Sequence, residues 1–155
     1  MKEQAFVSVV IYTHNDADII KDFLLNIDHK LHEIFNHYEI IIVNDASTDL
    51  TATVVKTTCE MLNGSITLIS LSRKHGLEKA MMAGLMKSIG DFVYEIEFIG
   101  GGIESYIHTM YKTAMSGNDI VVLCPDTAAS RSSTIFYHYI NKVTYLNLDL
   151  KSESV

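Results

Sequence analysis

Short apolar runs alternate with longer amphipathic segments along most of the chain. Residues 6–12 form a nearly continuous apolar run, and residues 39–43 form a second one. Unbroken runs of this length are typical of parallel strands that are buried on both faces. Between them, residues 18–35 place apolar side chains three and four positions apart, which predicts one buried face of a helix. That face consists of Ile19, Phe23, Leu24, Ile27, Leu31 and Ile34.

The alternation of strands and helices continues through the rest of the sequence. The next predicted elements are a helix over residues 47–62, a strand over 66–71, a helix over 77–88, a strand over 92–96, a helix over 103–115, a strand over 120–123 and a helix over 134–148. Strands that alternate with helices are joined by crossover connections. We therefore expect a single α/β domain over residues 1–155, with a mainly parallel sheet flanked by helices on both faces.

The composition indicates a folded domain, and the net charge argues against two classes of binding partner. Of the 155 residues, 48% are hydrophobic and 20% are charged, so there is enough apolar surface to exclude a mostly disordered chain. The formal net charge of -7 argues against nucleic acids and anionic membranes as partners. No apolar stretch has the roughly 18 residues that a membrane helix needs. Cys59 and Cys124 match no metal-ligand spacing, which favours a reducing, cytoplasmic setting.

Polar residues follow the first two predicted strands. The ligand crevice of a parallel sheet lies beyond the carboxyl ends of its strands. Thr13, Asn15 and Asp16 follow the first strand, and Asp45 follows the second. A carboxylate at this place can accept hydrogen bonds from a nucleobase N–H or a ribose hydroxyl. Helix capping is the alternative role for Asn15 and for residues 47–49, whereas the position of Asp45 directly after a buried strand favours a functional role.

Three segments of the chain, taken in order, resemble the family 2 glycosyltransferases, which have the GT-A fold. They are VSVVIYTHND at residues 7–16, YEIIIVNDASTD at residues 38–49 and ISLSRKHGLEKAMMAGLMKSIGDFV at residues 69–93. That family commonly shows VSVVIPTYNE, then YEIIVVDDGSTD, then a segment that begins L-S-R-N-x-G and ends G-D-Y-V. Any one of these motifs alone is a weak signal. Three of them in the same order and with matching gaps are a specific one.

The resemblance implies a site for a nucleoside diphosphate sugar at the carboxyl edge of a Rossmann-like sheet. It also implies transfer of the sugar to an acceptor hydroxyl with inversion. Matched position by position, Thr13, Asn15 and Asp16 belong to the motif that lines the nucleoside pocket. Asp45 matches the aspartate that contacts the base or ribose. Arg73 matches a basic residue that assists the diphosphate or fixes its loop.

The chain departs from the family pattern at several positions. Tyr12 stands where the family often has proline, and residues 97–99 (Glu-Phe-Ile) stand where it carries Asp-x-Asp. The carboxylates of that motif hold Mg²⁺ or Mn²⁺, which need oxygen ligands that Ile99 cannot supply. The resemblance therefore implies a weak metal site reduced to Glu97. Glu95 shares a strand face with Glu97, so we expect it to be paired with a cation if that strand is central, or else to form an alternative metal pair with Glu97.

The resemblance identifies no catalytic base, and the catalytic residues stay unknown. Glu104 and Asp126 are the nearest options by position. Residues 132–148 resemble the segment that precedes the acceptor-binding half in polyprenyl-phosphate-type members. We therefore expect the chain to be truncated before that half, and the acceptor to be a glycan or a polyprenyl phosphate. An incomplete acceptor face could also let the protein form homo-oligomers.

Two other functions compete with an active glycosyltransferase. A catalytically silent module of the same type would bind a nucleotide or a protein partner, as the isoleucine in the metal motif suggests. A dinucleotide-binding oxidoreductase is the third option. The sequence lacks the G-x-G-x-x-G turn after the first strand that would hold the pyrophosphate of such a cofactor.

Overall fold

The computed structural model of the protein describes residues 2–123, which contain four strands, four α-helices and one short 3-10 helix. The chain divides into two compact units, residues 1–111 and residues 112–155. Asp126, Cys124 and the predicted helix over residues 134–148 lie outside the described residues. In chain order the elements are β1 (Glu3–Thr13), α1 (Ile20–Ile34), β2 (Phe35–Asn44), α2 (Thr51–Cys59), β3 (Ser65–Ser70), α3 (Leu77–Leu85), β4 (Phe92–Ile96), the 3-10 helix (Ile103–Tyr106) and α4 (Ile107–Met115).

The four strands form one parallel sheet in the order β3-β2-β1-β4. The chain builds outward from β1 through β2 to β3, and then crosses to the opposite side of β1 to form β4. The carboxyl ends of all four strands therefore lie at the same edge, and the strand order reverses beside β1. An all-parallel sheet with helices on both faces confirms the predicted α/β fold class.

Two apolar layers cover the sheet. Alternate residues of β1 face opposite sides, so Val9 packs in the larger layer and Val10 packs in the smaller layer under α3. Coverage of both faces explains why β1 and β2 read as continuous apolar runs, because each fully buried aliphatic side chain stabilises the fold by roughly 1.5–3 kcal/mol. The helices give the larger layer Ile20, Phe23, Leu24, Ile27, Leu31, Val55, Ile107 and Tyr111.

The helices differ from the predicted ones mainly at their ends. Helix α1 begins at Ile20, so Ile19, which was predicted to face the core, is 48% exposed and Ile20 is buried instead. Helices α2 and α3 are shorter than predicted, and the predicted helix over residues 103–115 begins as a 3-10 turn. Apolar spacing fixes the buried face of a helix, but its ends depend on local hydrogen bonds that the spacing does not record.

The predicted strand over residues 120–123 is wrong, and the condition on which Glu95 was expected to need a partner, a central β4, is not met. Residues 120–123 are not in a strand, and Ile120 is 69% exposed. An apolar run becomes a strand only where a neighbouring strand pairs with its backbone, and the run itself does not specify that neighbour. Glu95 is exposed and has no ion-pair partner among the described residues, because α3 packs on β1 and β2 rather than on β4.

Two buried carboxylates that the sequence analysis did not single out connect elements near the amino ends of the strands. Asp28 of α1 accepts hydrogen bonds from the Tyr38 hydroxyl at 2.8 Å and from the Gly64 backbone N–H at 3.1 Å. Glu39 of β2 accepts one from the Ser8 hydroxyl at 2.6 Å and one from the Ile89 backbone N–H at 3.0 Å. Both carboxylates therefore have a structural role.

No helix within residues 2–123 is long and apolar enough to cross a bilayer.

Candidate functional site

The turn that follows β1 is organised around the Asp16 carboxylate. The Thr13 hydroxyl donates a hydrogen bond to Asp16 Oδ2 at 2.7 Å, and the His14 backbone N–H donates to the same oxygen at 2.9 Å. The carbonyl of Asp16 accepts the Ile20 N–H at 2.9 Å, which begins α1. Thr13 is fully buried, so its hydrogen bond to Asp16 fixes the turn to the end of β1.

The loops that follow β1 and β2 are tied together by reciprocal hydrogen bonds. The Asn15 N–H donates to Ser47 Oγ at 3.0 Å, and the Thr48 N–H donates to Asn15 Oδ1 at 2.8 Å. The Asp16 N–H donates to Thr51 Oγ1 at 2.8 Å. Asn15 does not cap α1 through its side chain, because that side chain joins the second loop instead.

Each of these loops contains a residue in the left-handed region of backbone conformation. Asn15 has φ of 62° and Ala46 has φ of 53°. Asparagine tolerates this conformation, but for alanine it costs roughly 1–2 kcal/mol. Strained residues of this kind persist where surrounding contacts determine the backbone, and they concentrate at ligand sites. The strain at Ala46 therefore points to the same edge of the sheet as the polar residues do.

Asp45 follows β2 and is fully buried. Its Oδ1 accepts the His75 N–H at 2.7 Å, and its Oδ2 accepts the Gly76 N–H at 2.8 Å and the Tyr12 hydroxyl at 3.3 Å. Burial alone would raise the pKa of Asp45, but the two backbone N–H bonds and the Tyr12 hydroxyl outweigh it and lower that pKa. The group is therefore an ionised carboxylate bound to the loop between β3 and α3.

The β3–α3 loop, residues 71–76, carries the cationic side chains of the site. Arg73 and Lys74 are both exposed. The loop is held at its start by the Leu71 N–H, which donates to the Asn44 carbonyl at 2.9 Å. It ends at Gly76, whose φ of 88° favours glycine, directly before α3.

Helix α3 lies close against the sheet because two of its positions are small. Ala80 and Gly84 are buried, and a Cβ atom on Gly84 would overlap the side chains of Val10 and Val43. The close approach brings the start of α3, and the loop before it, to the carboxyl edge of β1 and β2.

The residues that follow β4 do not fit a two-carboxylate metal site. Glu97 is exposed, but Ile99 is only 5% exposed and packs in the larger apolar layer. Mg²⁺ and Mn²⁺ need several oxygen ligands, and this segment offers one carboxylate. Within the described part of the chain, no group of three or more His, Cys, Asp or Glu side chains is arranged to hold a metal.

The structure brings most of the predicted site residues together. Hydrogen bonds connect the loops that carry Thr13, Asn15, Asp16 and Asp45, and Asp45 in turn connects them to the loop of Arg73. Glu97 lies at the same edge, after the strand that neighbours β1, but no hydrogen bond among the described residues links it to the others.

Sequence reasoning missed two contacts of Asp45. One is the Tyr12 hydroxyl, and the departure from proline at that position was the available signal. The other is His14, whose Nδ1 lies 2.8 Å from the Asp45 carbonyl oxygen. A carbonyl only accepts hydrogen bonds, so Nδ1 carries a proton, and in the tautomer protonated only there Nε2 has a lone pair. His14 is half-buried at the carboxyl edge, and this nitrogen can accept a hydrogen bond from a polar ligand.

Several solved structures of glycosyltransferases are similar to this chain. The mannosyltransferase PcManGT from Pyrobaculum calidifontis, in complex with GDP-Man and Mn²⁺, is 28% identical with a TM-score of 0.53, over 59% of this chain and 26% of that one. S. aureus TarS 1-349 in complex with UDP is 29% identical with a TM-score of 0.50, over 62% of this chain and 27% of that one. Mannosyl-3-phosphoglycerate synthase from Rubrobacter xylanophilus is 18% identical with a TM-score of 0.62, over 91% and 48% of the two chains, and shows the shared fold.

Curated relatives include undecaprenyl-phosphate 4-deoxy-4-formamido-L-arabinose transferases. The protein of that name from Edwardsiella ictaluri is 28% identical over 116 residues, which are 75% of this chain and 36% of the relative. The one from Photorhabdus laumondii is 28% identical over 137 residues, which are 88% of this chain and 41% of the relative. The chain thus spans well under half the length of these relatives.

The family model of Glycosyl transferase family 2 matches residues 8–96. This match covers more than half of the chain, begins within β1 and includes β2 to β4 and the three connected loops, which confirms the resemblance drawn from the motifs. The chain therefore belongs to glycosyl transferase family 2.

Proposed function

We propose that this chain binds a nucleoside diphosphate sugar at the carboxyl edge of its sheet and takes part in transferring the sugar to an acceptor. The observation that supports this most is the connection of three loops, after β1, β2 and β3, into one polar edge with exposed cations beside it. Structures of similar proteins contain ligands of this kind or their nucleotide part: the PcManGT structure contains GDP-Man, and the TarS structure contains UDP.

The residues divide into a nucleoside part and a phosphate part. Asn15 and Asp16 form the wall beside β1, where amide and carboxylate groups suit base and ribose hydrogen bonds, and the buried Thr13 holds Asp16 in that wall through its hydroxyl. Arg73 and Lys74 are exposed on the next loop, where cations suit a diphosphate. Glu97 offers only one carboxylate, so we derive no step that depends on a metal held by this segment.

The proposed reaction is a direct displacement at the anomeric carbon. An acceptor oxygen forms a bond to that carbon while the bond to the diphosphate breaks, and the nucleoside diphosphate leaves with the electron pair. Inversion follows because attack and departure occur on opposite faces. Cations beside the diphosphate, here Arg73 and Lys74, stabilise the charge that develops on it.

We propose polyprenyl phosphate as the acceptor, with a glycan as the other option. The relatives from Edwardsiella and Photorhabdus are named as undecaprenyl-phosphate transferases. The oxygens of a phosphate monoester are already anionic near neutral pH, so their attack needs no proton removal. A glycan hydroxyl would need a base, and no described residue is assigned that role.

Ligand-dependent thermal stability tests the binding step. We expect UDP or GDP at about 100 times its dissociation constant to stabilise the protein by about 2.7 kcal/mol, which raises Tm by roughly 5–10 °C for a chain of this size. Arg73→Ala should reduce the shift for the nucleotide. If neither nucleotide changes Tm at millimolar concentration, with Mn²⁺ or with EDTA, the binding proposal is wrong.

A catalytically silent nucleotide-binding module is the second candidate. The burial of Ile99, at a position where the family carries a metal-binding carboxylate, favours it. The same preparation separates the two functions: radiolabelled sugar should move from UDP-sugar or GDP-sugar to polyprenyl phosphate if the chain is active. Nucleotide binding without any transfer would support the silent module.

A further inference from the structure

We propose that the Asn63–Gly64 pair, in the turn between α2 and β3, is a site of spontaneous deamidation, and that the buried carboxylate of Asp28 restrains the reaction. These two residues form the one Asn-Gly sequence of the chain. The turn lies directly before β3, near the amino ends of the strands. The modification site is therefore distinct from the proposed nucleotide site, which lies at the carboxyl ends.

Deamidation of an asparagine uses the next backbone nitrogen as the nucleophile. The Gly64 nitrogen loses its proton and attacks Cγ of Asn63, and the bond from Cγ to Nδ2 breaks with its electron pair going to Nδ2. That nitrogen takes up a proton and leaves as ammonia, and a succinimide ring remains. Water then adds to either ring carbonyl and opens the ring to aspartate or isoaspartate. Glycine favours ring closure because it has no Cβ in the way.

Asp28 binds both of the groups that have to react. Its Oδ1 accepts the Gly64 N–H at 3.1 Å, and its Oδ2 accepts the Asn63 side-chain Nδ2 at 2.8 Å and the Asn63 backbone N–H at 3.1 Å. A hydrogen bond to an anion disfavours loss of the Gly64 proton, because the resulting negative nitrogen would face the Asp28 charge. The bond to Nδ2 fixes the orientation of the amide. Both groups must therefore leave Asp28 before the ring can form.

The fold requires this labile pair of residues. A Cβ atom on Gly64 would overlap the ring of Tyr38, so the close packing of the turn on β2 needs glycine. The side chain of Asn63 supplies a donor to the buried Asp28, which also accepts the Tyr38 hydroxyl at 2.8 Å. Asn63 is exposed, so the water that opens the ring can reach it. Packing thus selects the sequence, and the same carboxylate that needs it slows its decay.

Conversion of Asn63 would reverse the sign of its interaction with Asp28. Deamidation replaces a donor amide, now 2.8 Å from the carboxylate, with a second carboxylate. Two carboxylates at this distance repel each other, so the product cannot restore the hydrogen bond at neutral pH. Because Asp28 connects α1 to β2 and to this turn, we expect deamidation to destabilise the amino end of the sheet.

Peptide mass spectrometry of the full chain, incubated at neutral pH, measures the rate of deamidation at Asn63. The rate in the folded wild type should be at least about 10-fold below that of the same chain unfolded in guanidinium chloride. Asp28→Asn should accelerate the reaction in the folded protein by roughly 10-fold to 100-fold, because the turn no longer breaks bonds to a charged acceptor when it opens. Circular dichroism verifies that each variant is folded.

Glu39→Gln is the matched control, because it removes the other buried carboxylate near the amino ends of the strands. Its deamidation rate at Asn63 should stay within about twofold of the wild type, since it leaves the bonds to Asp28 in place. Equal acceleration in Glu39→Gln and Asp28→Asn would overturn the specific role of Asp28. Equal rates in the folded and the unfolded wild type would overturn the restraint altogether.

Hydrogen exchange of the Gly64 amide decides the question without a variant if Asp28→Asn fails to fold. This amide is bound to Asp28, so its protection gives the fraction of time for which the turn is open. The ratio of folded to unfolded deamidation rates should match that fraction within about threefold, because only the open turn reacts. A folded rate well above this limit would show that the closed turn reacts and would overturn the proposal.

Asn63→Asp tests the consequence of the modification. It should lower the ratio of folded to unfolded protein by at least about 10-fold near neutral pH, measured by urea unfolding. Asn26→Asp adds the same charge at an exposed position of α1 and should change that ratio by less than about threefold. Equal stability of the two variants would contradict the expected repulsion from Asp28.

Discussion

Replacing Ile99 with aspartate tests whether a second carboxylate after β4 can build a metal site, and the structure predicts that the substitution damages the fold. The Ile99 side chain is 5% exposed and packs with the larger apolar layer, and the adjacent Phe98 is 76% exposed. Ile99→Asp removes a buried apolar side chain and places a carboxylate among apolar neighbours. We expect the protein to be destabilised, with no gain of a metal site.

The size of the effect follows from burial. Truncating a buried isoleucine costs about 2–5 kcal/mol, and a buried carboxyl group without partners adds to that cost. A loss on the order of 4 kcal/mol is a large part of the 5–15 kcal/mol that stabilises a typical domain. With a urea dependence of about 2 kcal/mol per molar, the unfolding midpoint should fall by roughly 2 M.

Urea unfolding followed by circular dichroism measures this loss, with Phe98→Asp as the matched control. The control adds the same charge at the neighbouring exposed position and should change stability by less than about 0.5 kcal/mol.

Burial should raise the pKa of the new carboxyl group at position 99. Its protonated form fits the folded state better, so the deficit of Ile99→Asp should grow as pH rises above about 4.

Two results would refute this reasoning. Equal midpoints for Ile99→Asp and Phe98→Asp would mean that position 99 is not part of the core. A rise in the Tm of Ile99→Asp on addition of Mn²⁺, absent in the wild type, would mean that the new carboxylate reaches the cation together with Glu97.

Two further predictions concern stability away from Ile99. Asp28→Asn should destabilise the protein by roughly 2–3 kcal/mol near neutral pH, because donors from Tyr38, Asn63 and Gly64 lose a charged acceptor. Burial raises the pKa of Asp28, but these hydrogen bonds lower it overall, so its contribution is present above about pH 4 and is lost as pH falls through the depressed value. Urea midpoints of the variant and wild type should therefore converge in acid, and a deficit that stays constant down to about pH 3 would contradict this assignment. Ala46→Gly should stabilise the protein by about 0.5–1 kcal/mol, because glycine relieves the strain of a φ of 53°. Ala83→Gly in α3, where the backbone is helical, should instead cost about 1 kcal/mol by thermal unfolding, and a destabilised Ala46→Gly would show that the loop carries no such strain.

The sequence by itself determined the architecture and the edge of the sheet at which the candidate site residues lie. Apolar runs over residues 6–12 and 39–43 identified buried parallel strands, because such strands are covered on both faces and need no polar positions. In a parallel sheet all carboxyl ends meet at one edge, so the sequence alone places the polar residues after the first two strands together at that edge. The three ordered motifs added the family.

The sequence could not determine which polar side chains are available to a ligand. Asp45 and Asp16 are both aspartates that follow buried strands, yet Asp45 is fully buried against the β3–α3 loop and Asp16 organises its own turn. Their partners lie up to 35 residues away along the chain. Local pattern records the type of a residue, whereas accessibility depends on loops that only the folded chain brings together.

The environments of Glu95 and Ile99 were also decided by the tertiary structure. From the sequence, the family resemblance implied an acidic ligand at the position of Ile99, and Glu95 was expected to need a partner if its strand was central. In the folded chain β4 lies at the edge of the described sheet, so Glu95 is exposed, while the segment after it turns Ile99 into the larger apolar layer. Strand order, which no periodicity encodes, determined both outcomes, because it decides which faces of a strand other elements cover.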